Sequence, residues 1–242
     1  MSFQSLIINH QSSIPCIVLA GGLGTRLRGV INDLPKPMAM INGKPFLHYV
    51  LLYLTQQKIK KAVLSVGYKA NVIEAYFGDK YLDVEISYSK EEEPLGTGGG
   101  IKKAFELVND LAFVLNGDTF FDIDLNSLRE FHLQNEADIS LALKPMKNFD
   151  RYGTVQLKEN RIVNFEEKKF LTEGLINGGV YFFSKNVFEN VGDEKFSFEK
   201  EVLEKSVSQK KLCGKIYDDY FIDIGIPEDY AKAQNDFKNL FE

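Results

Sequence analysis

Two periodicities alternate along this chain. Short runs with strand character, at Cys16–Ala20, Ala62–Val66, Glu85–Tyr88, Ala112–Asn116, Ile139–Leu143, Thr154–Leu157, Val180–Phe183 and Lys215–Tyr217, are separated by segments with helical spacing. The helical segments are Phe46–Gln57, Val72–Phe77, Gly98–Val108, Leu125–Gln134, Phe198–Val207 and Pro227–Lys238. In Phe46–Gln57, Phe46, Tyr49, Val50, Tyr53 and Leu54 recur at i, i+3, i+4, i+7 and i+8, which predicts one buried helix face. Ile17-Val18-Leu19-Ala20 is apolar at every position, as a central parallel strand covered on both sides requires. Strands alternating with helices predict an α/β fold with a doubly wound, mostly parallel (mixed) sheet. The second half is richer in strands and looser in pattern, and no Ser/Gly linker interrupts it. The expectation is a single domain over 15–242 with its C-terminal part packed on as a lobe, preceded by an N-terminal extension over 1–14.

Composition narrows the classes. Of 242 residues 44% are hydrophobic and 26% charged, so a substantial core is available. The apolar runs are too short to span a bilayer as helices, and the first residues lack the pattern of a secretory signal. Two distant cysteines, Cys16 and Cys213, form neither a disulfide framework nor a zinc motif. A cytoplasmic location is expected. With a net charge of −5 and no long Lys/Arg block, neither a nucleic acid nor a membrane is an expected partner. A homo-oligomeric state stays open.

Anions must then be met by backbone amides and a few placed cations. Leu19-Ala20-Gly21-Gly22-Leu23-Gly24-Thr25-Arg26-Leu27 follows the first strand directly, where open α/β sheets bind ligands. A dinucleotide fingerprint starting at Gly22 fails at Leu27, and a P-loop reading of Gly24 to Gly29 fails at Val30-Ile31. A glycine turn carrying Arg26 remains, followed by Lys36 between Pro35 and Pro37, which hold it on a stiff, extended segment. Alone, the turn could be an ordinary βα connection and Lys36 a solvated lysine. Asp118 ends the apolar run Phe113–Asn116, and Asp223 ends Phe221-Ile222; each alone could be a turn former.

Together these segments resemble the sugar-1-phosphate nucleotidyltransferases, in Leu-Ala-Gly-Gly-Leu-Gly-Thr-Arg-Leu, Pro-Lys-Pro-Met and Gly43-Lys44-Pro45. The resemblance implies the nucleotide-diphospho-sugar transferase type of fold, with the C-terminal lobe binding the sugar. It implies nucleotide contacts from Leu19, Gly21, Gly22, Gly24, Thr25 and Asp118, and catalytic roles for Arg26 and Lys36 on the phosphates. It further implies Mg²⁺ held by Asp118 and Asp223. Phe165-Glu166-Glu167-Lys168, Arg151-Tyr152-Gly153 and Asn177-Gly178-Gly179 resemble the family's acceptor segments, which assigns Gly153, Glu167, Lys168 and Asn177 to the sugar phosphate. Gly29, Ile226 and Lys169 depart from the family's usual proline, threonine and proline.

Glu93-Pro94-Leu95-Gly96-Thr97-Gly98-Gly99-Gly100 resembles the base-recognition segment of the family's guanylyltransferases, assigning Glu93 and Gly98 to the nucleotide. By itself it reads as a loop and helix start with exposed amides and Thr97 as cap. The resemblance implies GTP and a sugar 1-phosphate, foremost a heptose 1-phosphate, as substrates for a nucleotide-activated sugar of surface polysaccharide. Mannose 1-phosphate, or N-acetylmuramate 1-phosphate with UTP, are the alternatives, as is a silent nucleotide-sugar sensor. Nucleotidyl transfer needs no general base, because the attacking phosphate is already anionic. His10, His48 and His132 accordingly match no motif.

Overall fold

The computed structural model describes residues 14–22, 34–166, 168–192, 194–209 and 211–241. Among the described residues the first element is β1 (Cys16–Leu19), and a 3₁₀ turn (Lys36–Met38) leads into a small hairpin, β2 (Met40–Ile41) and β3 (Lys44–Pro45). Next come α1 (Phe46–Gln56), β4 (Lys61–Val66), α2 (Ala70–Phe77), β5 (Lys80–Tyr81), β6 (Val84–Lys90), α3 (Gly96–Ala104) and β7 (Leu111–Asn116). The second half adds β8 (Thr119–Phe121), α4 (Leu125–Gln134), β9 (Ile139–Phe149), β10 (Thr154–Lys158), β11 (Arg161–Glu166) and β12 (Leu171–Ser184). It ends with β13 (Leu212–Ile216), β14 (Phe221–Asp223) and α5 (Pro227–Phe241).

One mixed sheet runs in the order β10-β11-β13-β9-β12-β7-β1-β4-β6-β5. Its N-terminal half, β7-β1-β4-β6, is parallel, and β12 joins it antiparallel to β7. Cys16 and Val18 of β1 face one core with α1 and α5, while Ile17 faces a second core with α3. The two covered faces explain why β1 is apolar at every position. Tyr49, Val50, Tyr53 and Leu54 of α1 are buried as their spacing requires. In α5, Phe237 packs on Phe46, Tyr49 and Phe120, which docks the last helix over α1 and β8.

Three expectations need correction. β9 and β12 are much longer than Ile139–Leu143 and Val180–Phe183, because they pair along most of their length, with a register shift between Asn177 and Tyr181. Phe198–Glu204 is a π-helical segment, with Ser197 accepting at its start from the Lys200 amide. The Lys36 segment is a 3₁₀ turn, not extended. Among the described residues, no helix is long and apolar enough to cross a membrane.

Candidate active site

The four parallel strands β7, β1, β4 and β6 stop at one edge, and residues just past those stops build one side of the site. After β7, the Gly117 amide donates to the Leu19 carbonyl at 2.9 Å, and a Cβ on Gly117 would fall 2.5 Å from that oxygen. Only glycine allows this approach, which sets Asp118 beside the end of β1. β8 then pairs antiparallel with β14, with Asp223 opposite Thr119, and the Ile224 amide donates to the Asp118 carbonyl at 3.1 Å. Two carboxylates separated by more than a hundred residues of chain meet on one ribbon.

Lys36 lies between them. Its Nζ is 2.6 Å from Asp118 Oδ2 and 3.3 Å from Asp223 Oδ1, with only 13% of the side chain exposed. The solvated alternative for this lysine is thereby corrected: its flanking prolines are buried and its charge is paired. Asp223 Oδ1 also accepts from the Gly225 amide at 2.8 Å. Burial pushes the Asp223 carboxyl above its usual range; Lys36 opposes this, while the neighbouring Asp118 charge adds to it. No cluster of three or more metal-ligating side chains occurs among the described residues. The oxygen-only pair, whose mutual repulsion Lys36 offsets only in part, fits a hard divalent cation that keeps several waters and phosphate oxygens as further ligands.

On the nucleotide side, Gly21 packs against the end of β4, where a Cβ would lie 3.3 Å from the Gly67 nitrogen, while Gly22 is open. The acid that reaches this region is Glu91, the first residue after β6. Its Oε1 accepts from Ser65 Oγ at 3.1 Å, and its Oε2 from the Leu95 amide at 2.9 Å. Cβ atoms added at Gly21 and Gly100 would lie 3.4 Å and 2.7 Å from Glu91 Oε1. Glu93, the acid expected here, is exposed two residues further on. The strand-end rule that singles out Asp118 points equally to Glu91.

The glycine run after it serves packing. Gly98 is buried and gives its N–H to the Phe196 carbonyl at 3.0 Å, so the expected exposed amide is absent there. A Cβ at Gly98 would strike the Phe196 ring, and one at Gly99 the Glu194 carbonyl. Thr97 does not cap α3: its hydroxyl accepts from the Phe198 amide and donates to Glu199.

The acceptor half is looser. Gly153 lets the loop after β9 approach β11, since a Cβ there would lie 2.8 Å from the Glu166 carbonyl oxygen. Asn177 donates from Nδ2 to the Tyr181 hydroxyl at 2.8 Å and accepts at Oδ1 from the Gly179 amide at 3.0 Å. Its amide is thus fixed internally, with one N–H and one lone pair left for a ligand. Lys168 is exposed, next to Lys169, which pairs with Glu166. Gly24, Thr25, Arg26, Glu167 and His10 lie outside the described residues. His48 contacts the Tyr81 hydroxyl and His132 the Ser140 hydroxyl, both away from the carboxylate centre.

A nucleotidyl transferase family model matches residues 16–239. The D-glycero-alpha-D-manno-heptose 1-phosphate guanylyltransferase of Aneurinibacillus thermoaerophilus is 54% identical over 225 residues, 92% of this chain and 98% of that one. The protein of the same name from Campylobacter jejuni is 54% identical over 216 residues, 88% of this chain and 96% of its own. The crystal structure of HddC from Yersinia pseudotuberculosis complexed with GMP-PN superposes with a TM-score of 0.83 at 37% identity, covering 93% of this chain and 99% of that one. With a match of this extent and two carboxylates bridged by a lysine at the strand ends, the chain belongs to the nucleotidyl transferase family.

Proposed function

We propose that this protein transfers a guanylyl group from GTP to D-glycero-α-D-manno-heptose 1-phosphate, releasing pyrophosphate. The observation that carries the reading is the Lys36–Asp118–Asp223 centre at the edge where the parallel strands end, in a chain 54% identical to two enzymes of that name. An oxygen of the acceptor phosphate attacks the α-phosphorus of GTP in line, and the bond to the departing pyrophosphate breaks. The nucleophile arrives deprotonated, so catalysis consists of positioning and charge neutralisation.

Lys36 holds its positive charge between the two carboxylates and exchanges part of that pairing for the triphosphate as GTP enters. Arg26 adds a second cation, and Leu19 at the end of β1 with Gly21, Gly22, Gly24 and Thr25 after it contacts the nucleotide. Asp118 and Asp223 hold the divalent cation, Mg²⁺ in this reading, which when bound offsets charge on the α-phosphate and the pyrophosphate. Glu91, in place of Glu93, faces the base: a carboxylate matches the two adjacent donors of guanine, N1–H and the 2-amino group. Gly153, Glu167, Lys168 and Asn177 contact the sugar phosphate.

Pyrophosphate release across GTP, ATP, UTP, CTP and dTTP, crossed with heptose, mannose, glucose and N-acetylmuramate 1-phosphates, tests the reading. GTP with the heptose phosphate is expected to give the highest kcat/KM. A preference for UTP with N-acetylmuramate 1-phosphate would replace it, and binding without turnover would make the chain a sensor.

A further inference from the structure

The loop between β9 and β10 carries a cation, Arg151, that is held against the strand ending in Asp223 and the helix that follows it. Arg151 donates from Nη2 to Asp229 Oδ2 at 2.5 Å, and its guanidinium lies 5.4 Å from the centroid of the Tyr152 ring. Tyr152 in turn meets Phe221 edge-on, with ring centroids 6.1 Å apart, on the strand that ends in Asp223. Asp229 stands in the first turn of α5, the helix that follows Asp223. One short loop is therefore held by its ring to the strand bearing Asp223 and by its guanidinium to the next helix.

The electrostatics couple the same groups. Partial burial works against the charge on Arg151, yet the hydrogen bond to Asp229 and the fields of Tyr152, Asp229 and Asp223 hold its pKa above the ordinary value. Burial raises the Tyr152 phenol, and Asp223, Asp229 and Asp118 add to the rise while Arg151 opposes it. Arg151 thus stands in the field of Asp223, one of the two carboxylates that an acceptor phosphate must approach.

That approach poses a problem of like charge. The attacking phosphate carries up to two negative charges toward the triphosphate of the donor, whose own charge the carboxylate-held cation and Lys36 serve to offset. Lys36 is engaged with both Asp118 and Asp223, and Lys168 stands on an exposed loop. A guanidinium has five N–H donors in a planar fork, so one bond to Asp229 leaves enough of the fork to take a phosphate bidentately. We infer that Arg151 binds the phosphate of the sugar 1-phosphate acceptor beside Asp223, and that Asp229 is the positioning residue that holds the guanidinium there. This rests on the nucleotidyl-transfer reading above but not on the identity of base or sugar.

The test uses the full-length enzyme with whichever NTP and sugar 1-phosphate the wild type turns over best, so a failure of the heptose assignment leaves Arg151 measurable. Arg151→Gln is expected to raise the acceptor KM by about tenfold or more, as for loss of a charged hydrogen bond, with kcat and the NTP KM little changed. Arg151→Lys, which keeps the charge and the pairing with Asp229, recovers part of the loss. Asp229→Asn raises the acceptor KM less, and adds nothing in the Arg151→Gln background, because it acts through the arginine. Calorimetric titration of the same sugar 1-phosphate into each variant gives the matching change in affinity without turnover. An acceptor KM unchanged in Arg151→Gln overturns the proposal. So does a parallel rise in both KM values that Arg151→Lys fails to relieve, which marks a merely structural ion pair.

Discussion

In the parallel half of the sheet, β1, β4, β6 and β7 stop at one edge, and Gly21, Gly67, Glu91 and Asp118 stand within two residues of those stops. In the other half, antiparallel except where β13 lies parallel to β9, β9 and β12 run on together, and the candidate residues sit mid-strand or in loops: Asn177 at a register shift, Gly153 and Arg151 between β9 and β10. Position along the chain therefore tells a residue's role in the first half, whereas pairing tells it in the second. The lysine centre belongs to both, since Asp118 follows a parallel strand and Asp223 ends a two-stranded ribbon.

Removing charge where the two halves meet should have the largest effect. Asp223→Asn keeps the shape, so its kcat should fall by roughly 10²–10³, the range for losing electrostatic stabilisation of developing charge. Excess Mg²⁺ or Mn²⁺ should restore only part of it. Pyrophosphate release at ordinary Mg²⁺ is the measurement, and full activity would mean that Asp118 alone suffices.

Lys36→Ala should lower kcat/KM for GTP by about 2–4 kcal/mol. It should also lower stability by about 1–3 kcal/mol, because two carboxylates lose the partner between them in a part-buried site. Denaturant melts would register this loss, which a lysine in free solvent would not produce; an unchanged midpoint would count against the bridging role.

The antiparallel half should carry an acid sensitivity of its own. Burial lowers the His132 pKa to about 4, with Asp138 opposing slightly; the ring contacts Ser140 of β9 and lies edge-on to Phe182 of β12. The unfolded chain takes up this proton first, so the contribution is whole above about pH 6.5 and is lost as pH falls toward 4. The full loss amounts to roughly 3 kcal/mol. His132→Gln should flatten that part of the stability–pH curve while leaving the assay at neutral pH unaltered.

Much of the parallel half is legible because local pattern and tertiary position coincide there. The all-apolar β1, the spacing of α1 and the carboxylate after β7 each carry their own signal. The pairing of Asp118 and Asp223 with Lys36 carries none, since its two ion pairs close across 82 and 187 positions. Glu91 is hidden by the acids next to it, although the end of β6 marks it out. The extents of β9 and β12 are masked by Lys144-Pro145 and by Gly174, Gly178 and Gly179, residues that ordinarily signal a loop. Here Pro145 stands opposite Leu175, and the glycines admit close neighbours: Cβ atoms at Gly178 and Gly179 would strike Phe121 and Asn116.

Glu91 offers a finer probe of the parallel half. If it meets both guanine donors, the wild type should prefer GTP to ITP, whose base lacks the 2-amino group. Glu91→Gln should reduce that preference by about tenfold, in the range of a charged hydrogen bond. A loss of activity equal for both nucleotides would instead assign Glu91 to holding the Leu95 amide alone.

The smallest expected effect tests whether the two halves divide the substrates between them. Lys168 is exposed beyond β11, so its charge acts on the acceptor phosphate through partly screened solvent. Lys168→Ala should therefore raise the acceptor KM by only about threefold, less than Arg151→Gln, and leave GTP binding measured without acceptor unchanged. Raising the salt concentration should erode the wild-type advantage over Lys168→Ala faster than the advantage over Arg151→Gln, because the arginine is part-buried and held by Asp229. The two slopes thus order the cations by depth. If Lys168→Ala weakened GTP binding and spared the acceptor, the charge beyond β11 would belong to the donor, and position in the antiparallel half would not mark the acceptor side.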